Sequence, residues 1–335
     1  MKYVFGPVPS RRLGLSLGVD PVPPKTCNFN CIYCQLGRTA NPSAKRKAFF
    51  SSCEIMAEIA STLDHADPGA IDWITFVGSG ETTLFSRLGS LIRFVKTISP
   101  LPVAVITNGS TLFLPEVQRD LSAADAVLPS LDAGRPTLFS SINRPRREFS
   151  FDRHVEGLIS FSDIYTGQLW VEVMLLRGIN DSNEALTEIA SVLEQIEPHE
   201  IHISTPSRPP AEEWVEPPCQ EALDRAASIF GGVARVLNPI TVDVRSGIDG
   251  NLDDVVLKIV TRHPLQEAEL VRTLENLVPG QVLESLTALA GSNKLRVIER
   301  YGKRFWCSAR ANFPDQSWQE NTPVEPSPRN THPAA

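Results

Sequence analysis

The chain has 335 residues, with 42% hydrophobic and 21% charged residues, an ordinary globular usage that excludes wholesale disorder and leaves room for about two domains. A formal net charge of −7 excludes a generally basic polyanion binder, so any nucleic-acid contact must come from a local patch. Neither a signal-like leader nor an apolar run of about 18 residues is present, so a cytoplasmic protein without membrane contact is expected, in a compartment where thiols stay reduced.

Apolar runs at 15–20, 72–77, 103–107, 126–131, 170–176 and 200–204 are continuous rather than alternating, as for strands covered on both faces. A weaker candidate lies at 240–244. Helical patterns fall between them. Ser51 and Glu54 stand at capping-box spacing ahead of Ile55, Ile59 and Leu63. Residues 83–98 carry Leu84, Leu88, Leu91 and Val95; Pro115 opens a further helix; Leu186, Ile189 and Leu193 follow "DSN", where Asn180 and Asp181 read as caps. Alternation of this kind predicts an α/β fold, a partial (β/α)6 TIM-like barrel over residues 1–248.

Beyond residue 248 the texture changes. Three helices are expected at 253–262, 266–274 and 279–290, then strands "LRVIE" and "RFWCS". This order over 249–310 suggests a small winged-helix-like domain, followed by a polar, Pro-rich, disordered tail at 311–335. The hairpin is basic, with Lys294, Arg296, Arg300, Lys303 and Arg304, as for phosphate contact. Its third helix carries no Lys or Arg, and Glu284 is its only charge. That disfavours sequence-specific DNA reading and leaves RNA contact, protein docking or structural support.

The chemistry lies in "KTCNFNCIYCQLG", which places Cys27, Cys31 and Cys34 close together with no fourth cysteine nearby. A structural zinc site needs four ligands, and a distant residue such as His65 would have to complete it. Three thiolates on a cubane iron–sulfur cluster instead leave one iron open to a substrate. Cys53, Cys219 and Cys307 are scattered and read as small buried hydrophobes.

The spacing Cys-x3-Cys-x2-Cys, with Tyr33 before the last cysteine, resembles the signature of the radical S-adenosylmethionine (SAM) superfamily. The resemblance implies that Cys27, Cys31 and Cys34 hold a [4Fe-4S] cluster. It also implies that Ser79, Gly80 and Glu81 match the Gly-Gly-Glu element that holds the SAM amino group. Thr107, Asn108, Ser130 and Asp132, at the next strand ends, would contact the SAM carboxylate and ribose; read alone, Asn108-Gly109 is a turn and Asp132 a helix cap. Arg144 and Arg208, with Arg146 and Arg147 nearby, would grip an anionic substrate or the SAM carboxylate, or else be solvated surface. Lys25, two residues before Cys27, reads as a surface lysine, with a charge near the cluster or a Schiff base as the alternatives. The implied reaction is reductive cleavage of SAM to a 5′-deoxyadenosyl radical that abstracts hydrogen from an unidentified substrate. A flavodoxin or ferredoxin-like protein would be the one-electron donor.

The opening stretch 5–37 further resembles a branch grouped with wyosine-synthesising tRNA enzymes, which points to an RNA base as substrate, with protein as the other class. The chain lacks the second cysteine cluster of the wyosine enzymes, so the resemblance extends to the chemistry and not to wyosine synthesis itself. The alternative is an iron–sulfur-sensing regulator whose cluster controls a nucleic-acid-binding winged helix.

Overall fold

The structure, a computed structural model, describes residues 2–237, 252–275 and 280–314. The strands β1 (Val4–Ser10), β2 (Gly14–Val19), β3 (Trp73–Phe76), β4 (Val103–Thr107), β5 (Ala126–Pro129), β6 (Gln168–Met174), β7 (Glu200–Ser204) and β8 (Ala234–Val236) form one sheet in chain order. β1 and β2 pair antiparallel, and every later neighbour pairs parallel, the topology of a partial barrel. The helices α1 (Ser52–Asp64), α2 (Leu88–Ile98), α3 (Pro115–Leu121), α4 (Pro136–Ile142), α5 (Phe151–Ser162), α6 (Asn183–Ile196) and α7 (Gln220–Phe230) lie in the crossovers.

The continuous apolar runs have a two-sided explanation. Leu17, Ile74, Val105, Val127, Val171 and Ile203 point outward into the core shared with the helices. Ala104, Ala126, Leu128 and Trp170 point inward, and Leu13 closes over them. Small alanines face large indoles there, and the rings of Trp73 and Trp170 lie 5.8 Å apart. Higher along the strands the interior turns polar: Ser16 and Thr75 share a 2.6 Å hydrogen bond, and Glu172 accepts from Ser204 at 2.8 Å. The barrel is therefore plugged at its N-terminal end and polar toward its C-terminal end.

Several elements differ from expectation. β1 carries Pro7 and Pro9, which cannot donate to a ladder, and it sits at the sheet edge where that is tolerated. Strand β8, and helices α4, α5 and α7, are additional to the sequence reading, and 240–244 lies outside the described residues. Ser51 caps α1 as anticipated, accepting from the Glu54 N–H at 3.4 Å, but the Glu54 carboxylate takes the Tyr3 hydroxyl instead of closing the box. α2 starts at Leu88 because Thr82–Leu84 forms a 3-10 turn capped by the Glu81 carboxylate. α6 is capped by Ser182; Asn180 instead binds the carbonyls of Asp132 and Met174, and Asp181 accepts from the Gly178 N–H. Cys307 is buried, but Cys53 and Cys219 are exposed. Cys53 lies on the face of α1 opposite Ile55 and Ile59, and Cys219 is the N-cap of α7.

The C-terminal segment comprises α8 (Leu252–Arg262), β9 (Leu265–Gln266), α9 (Glu267–Glu275), α10 (Val282–Gly291), β10 (Leu295–Arg300) and β11 (Lys303–Ser308), with sheet order β10-β11-β9 around its own apolar cluster. It is tied to the barrel by polar contacts. Arg262 Nε meets Asp20 at 3.2 Å, Gln35 meets His263 at 3.2 Å, and Gly37 bridges to Asn312. A Cβ at Gly37 would sit 2.5 Å from the Asn312 carbonyl oxygen, so only glycine fits. The basic hairpin divides its charge: Lys294, Lys303 and Arg304 are exposed, whereas Arg300 is buried and Arg296 partly so. Arg300 pairs with Glu213 at 2.8 Å, the Tyr301 hydroxyl donates to the Val215 carbonyl, and Arg296 donates to that of Ala311. Phe313 is buried, so order continues past the expected start of the tail. No helix among the described residues is long and apolar enough to cross a membrane.

His154 on α5 is buried, shares a 3.1 Å hydrogen bond with the Ser130 carbonyl and stacks on Phe139 at 5.1 Å. Burial pushes its pKa down to about 4. The neutral ring is favoured on folding, so this stability is complete above about pH 6.5 and is lost as pH falls toward 4. Between pH 7.5 and 5 the loss amounts to about 2 kcal/mol. Urea unfolding at both pH values is expected to show that much less acid sensitivity in His154→Phe than in the wild type; equal sensitivity would contradict the assignment.

Candidate metal centre and cofactor pocket

The cysteine loop leaves the C-terminal end of β2, and each later strand end delivers a polar residue to the same edge of the barrel. Backbone bonds stitch the first two together: Lys25 N–H donates to the Ser79 carbonyl at 2.6 Å and Glu81 N–H to the Thr26 carbonyl at 2.8 Å. The approach is so close that a Cβ on Gly80 would lie 2.0 Å from the Thr26 carbonyl oxygen. Ser79 is buried and donates its hydroxyl to Asp20 at 2.6 Å, the carboxylate that also holds Arg262.

Cys27, Cys31 and Cys34 are free thiols, and each has its own N–H donor. Cys27 faces the Phe29 amide at 3.5 Å and Asn108 Nδ2 at 3.7 Å; Cys31 faces Asn143 Nδ2 at 3.7 Å; Cys34 faces Lys25 Nζ at 3.2 Å. Burial, reinforced by Glu81, pushes the Cys27 thiol up to about 12. Burial and the other two sulfurs raise that of Cys31 well above its ordinary value. Such thiols become thiolates only beside a metal, which deprotonates them outright. A single ion would need several donors around one point, and no such group occurs among the described residues. A cubane takes each thiolate on a different iron, and N–H donors aimed at sulfur tune its potential. The donor set therefore fits an iron–sulfur cluster.

Protein donors hold the neighbouring carboxylates in place. Glu81 accepts from the Thr83 amide at 2.9 Å, from both threonine hydroxyls of Thr83 and Thr107, and from the Asn108 amide at 2.7 Å. Burial nevertheless raises its pKa. Asp132 accepts from the Tyr33 hydroxyl at 2.5 Å, Asn143 Nδ2 at 2.7 Å and the Met174 amide at 2.9 Å, and burial raises it to about 6. Tyr33 is thereby tied to the loop that follows β5. Ser130 gives its carbonyl to His154. Beside Asp132, the Asn143 Oδ1 is buried with no protein partner, an acceptor suited to an ammonium or hydroxyl donor of a bound cofactor.

Arg144, Arg146 and Arg208 are each held by protein partners. Arg144, at a φ of 45°, pairs with Glu212, which also takes Arg38 at 2.6 Å. Arg208 donates to the Pro264 carbonyl of the C-terminal segment, and Arg146 pairs with Glu148 at 2.9 Å. His65 is the C-cap of α1 and bonds the Ser61 carbonyl, within its own helix. Lys25 is not a free surface lysine: its ammonium lies beside Cys34, as the alternative from its place two residues before Cys27 had it. Asn28 also went unread, although it lies inside the motif, where it bonds Asn108 at 2.8 Å. Asn143 reaches the site from the end of α4, a position that no local pattern announces.

Three comparisons bear on this geometry. The chain is 38% identical over 301 residues to a protein named GTPase Obg of Brachyspira hyodysenteriae, covering 88% of this chain but only 43% of that one. It is 31% identical to the UPF0026 protein of Methanocaldococcus jannaschii, covering 91% of this chain and 96% of that relative. A radical SAM methyltransferase from Sphaerobacter thermophilus shares the fold with a TM-score of 0.52 at 19% identity, over 66% of each chain. The family model described as "Radical SAM superfamily" matches residues 22–190, from the start of the cysteine loop into α6. With the barrel and the three-cysteine loop at its C-terminal edge, that match establishes that the chain belongs to the radical SAM superfamily, whose cofactors are a [4Fe-4S] cluster and SAM.

Proposed function

We propose that Cys27, Cys31 and Cys34 hold the cluster and that the chain is an enzyme acting by hydrogen abstraction on an RNA substrate. When bound, the cofactors supply one-electron cleavage of the SAM sulfonium bond, yielding methionine and a 5′-deoxyadenosyl radical that takes hydrogen from the substrate. The observation that carries this reading is the supply of a separate N–H donor to every thiol, from the loop itself, β4's end and α4's end. Lys25 places an ammonium beside Cys34. Asn108 and Asn143 orient amides toward Cys27 and Cys31, held by Asn28 and Asp132 respectively. Glu81 fixes the β3 and β4 ends against each other, and Ser79 with Gly80 lets that edge approach the loop. Asp132 and the unpartnered Asn143 Oδ1 are positioned to receive polar hydrogens of SAM. The RNA part rests on the likeness of residues 5–37 to the tRNA-modifying branch. A regulator reading draws on the tether between the cysteine loop and the C-terminal segment through Gln35 and His263, and requires no SAM cleavage.

Anaerobic reconstitution followed by dithionite and SAM separates these readings. The expected product is 5′-deoxyadenosine, abolished together with iron in Cys31→Ala and raised several-fold by total RNA. An intact cluster without cleavage would overturn the enzyme reading, and stimulation only by RNase-treated extract would overturn the RNA reading. Gly80→Ala is expected to cut iron per chain by at least half, because the added methyl meets backbone, whereas Gly232→Ala, with open space around its Cβ, is expected to load normally. Equal loading of the two would contradict the close approach.

A further inference from the structure

The sequence "SRRL" turns between β1 and β2 and sends two arginines toward the polar half of the barrel interior. Arg12 has a carboxylate partner, although its Nε is buried without a hydrogen bond. Its guanidinium pairs with Glu172 on the inner face of β6, and the other oxygen of Glu172 accepts from Ser204 on β7 at 2.8 Å. Arg11 is not accounted for. Its Nη1 is buried without a hydrogen-bond partner, and it has no carboxylate partner among the described residues. Arg11 as a whole is only partly buried, but an Nη1 held away from water without an acceptor costs stability, and a bound anion would supply that acceptor.

The surroundings are cationic. Burial lowers the pKa of Arg11, with Arg12 adding to the effect and Glu172 opposing it. Burial also lowers that of Arg208, which Glu269 supports and Arg11 weakens. Glu172, held low against burial chiefly by Arg12, is already claimed. This charge lies next to the cofactor edge: the Leu131 amide donates to the Glu172 carbonyl at 2.9 Å, and Leu131 directly precedes Asp132.

We propose that the polar half of the barrel interior is a receptor for an oxyanion of the substrate, a carboxylate or a phosphate, with Arg11 as the principal donor and Arg208 as a supporting charge. A guanidinium offers paired N–H groups that match either oxyanion, and a dry wall strengthens the contact. This inference rests on the interior being the substrate chamber, but its test does not depend on SAM cleavage.

Thermal unfolding of the full chain is followed with inorganic phosphate, acetate or chloride at matched ionic strength. Phosphate, acetate or both are expected to raise Tm saturably above chloride. Response to phosphate alone assigns a phosphate-bearing substrate; response to acetate assigns a carboxylate. Arg11→Met is expected to lose the response at least tenfold in apparent Kd while its anion-free Tm equals or exceeds that of the wild type. Arg11→Lys, which keeps the charge but not the fork, is expected to weaken it about tenfold and keeps the test decisive if the methionine variant misfolds. Saturating SAM is expected to add to the anion's shift. A chloride-like response, an undiminished response in both variants, or mutual exclusion with SAM would overturn the proposal, the last by giving Arg11 to the cofactor carboxylate.

Discussion

Two of the three sulfurs on one short loop, those of Cys27 and Cys31, resist ionisation unless a cation binds them. Burial holds Cys27 and Cys31 far above the ordinary thiol range, and each would repel the others once ionised. A cluster of iron and sulfide would remove both penalties together, and the amide and ammonium donors around it would then act on bound sulfur. The rest of the site is arranged around that requirement. The loop needs backbone support from residues 79–81, the amides need Asn28 and Asp132 to orient them, and Glu81 must join two strand ends to keep the edge in register.

The barrel makes this possible by dividing its interior. Indoles and alanines seal the N-terminal end, so the C-terminal half can carry Glu172, Ser204 and the arginines without admitting solvent from below. The outward layer of branched residues supplies the stability that such a polar interior gives up, at about 1.5–3 kcal/mol for each fully buried aliphatic side chain before ordering entropy is subtracted. The C-terminal segment adds a cover tied to the cysteine loop through Asn312 and His263, and its basic hairpin serves that attachment through Arg300.

The parallel strands β2 to β7 were legible because strands covered on both faces must be apolar throughout, and their ends located Ser79, Thr107 and Asp132 along with them. The cysteine spacing was legible because cluster ligation leaves a local signature. What escaped was set by tertiary geometry. Asn143 and Asn180 look like helix-end residues, yet each is aimed at Asp132 by packing between elements distant in sequence. Lys25 carries a charge that composition assigns to solvent, and only the fold turns it toward Cys34. β1 was hidden because its prolines argue against a strand everywhere except at an edge.

Mössbauer spectroscopy of the protein reconstituted with isotopically enriched iron, with and without SAM, tests the central claim most directly. The account predicts a cubane cluster in which one iron changes its coordination when SAM is added, while the three bound to Cys27, Cys31 and Cys34 do not. A spectrum indifferent to SAM, or a chain that retains zinc and no iron, would contradict it.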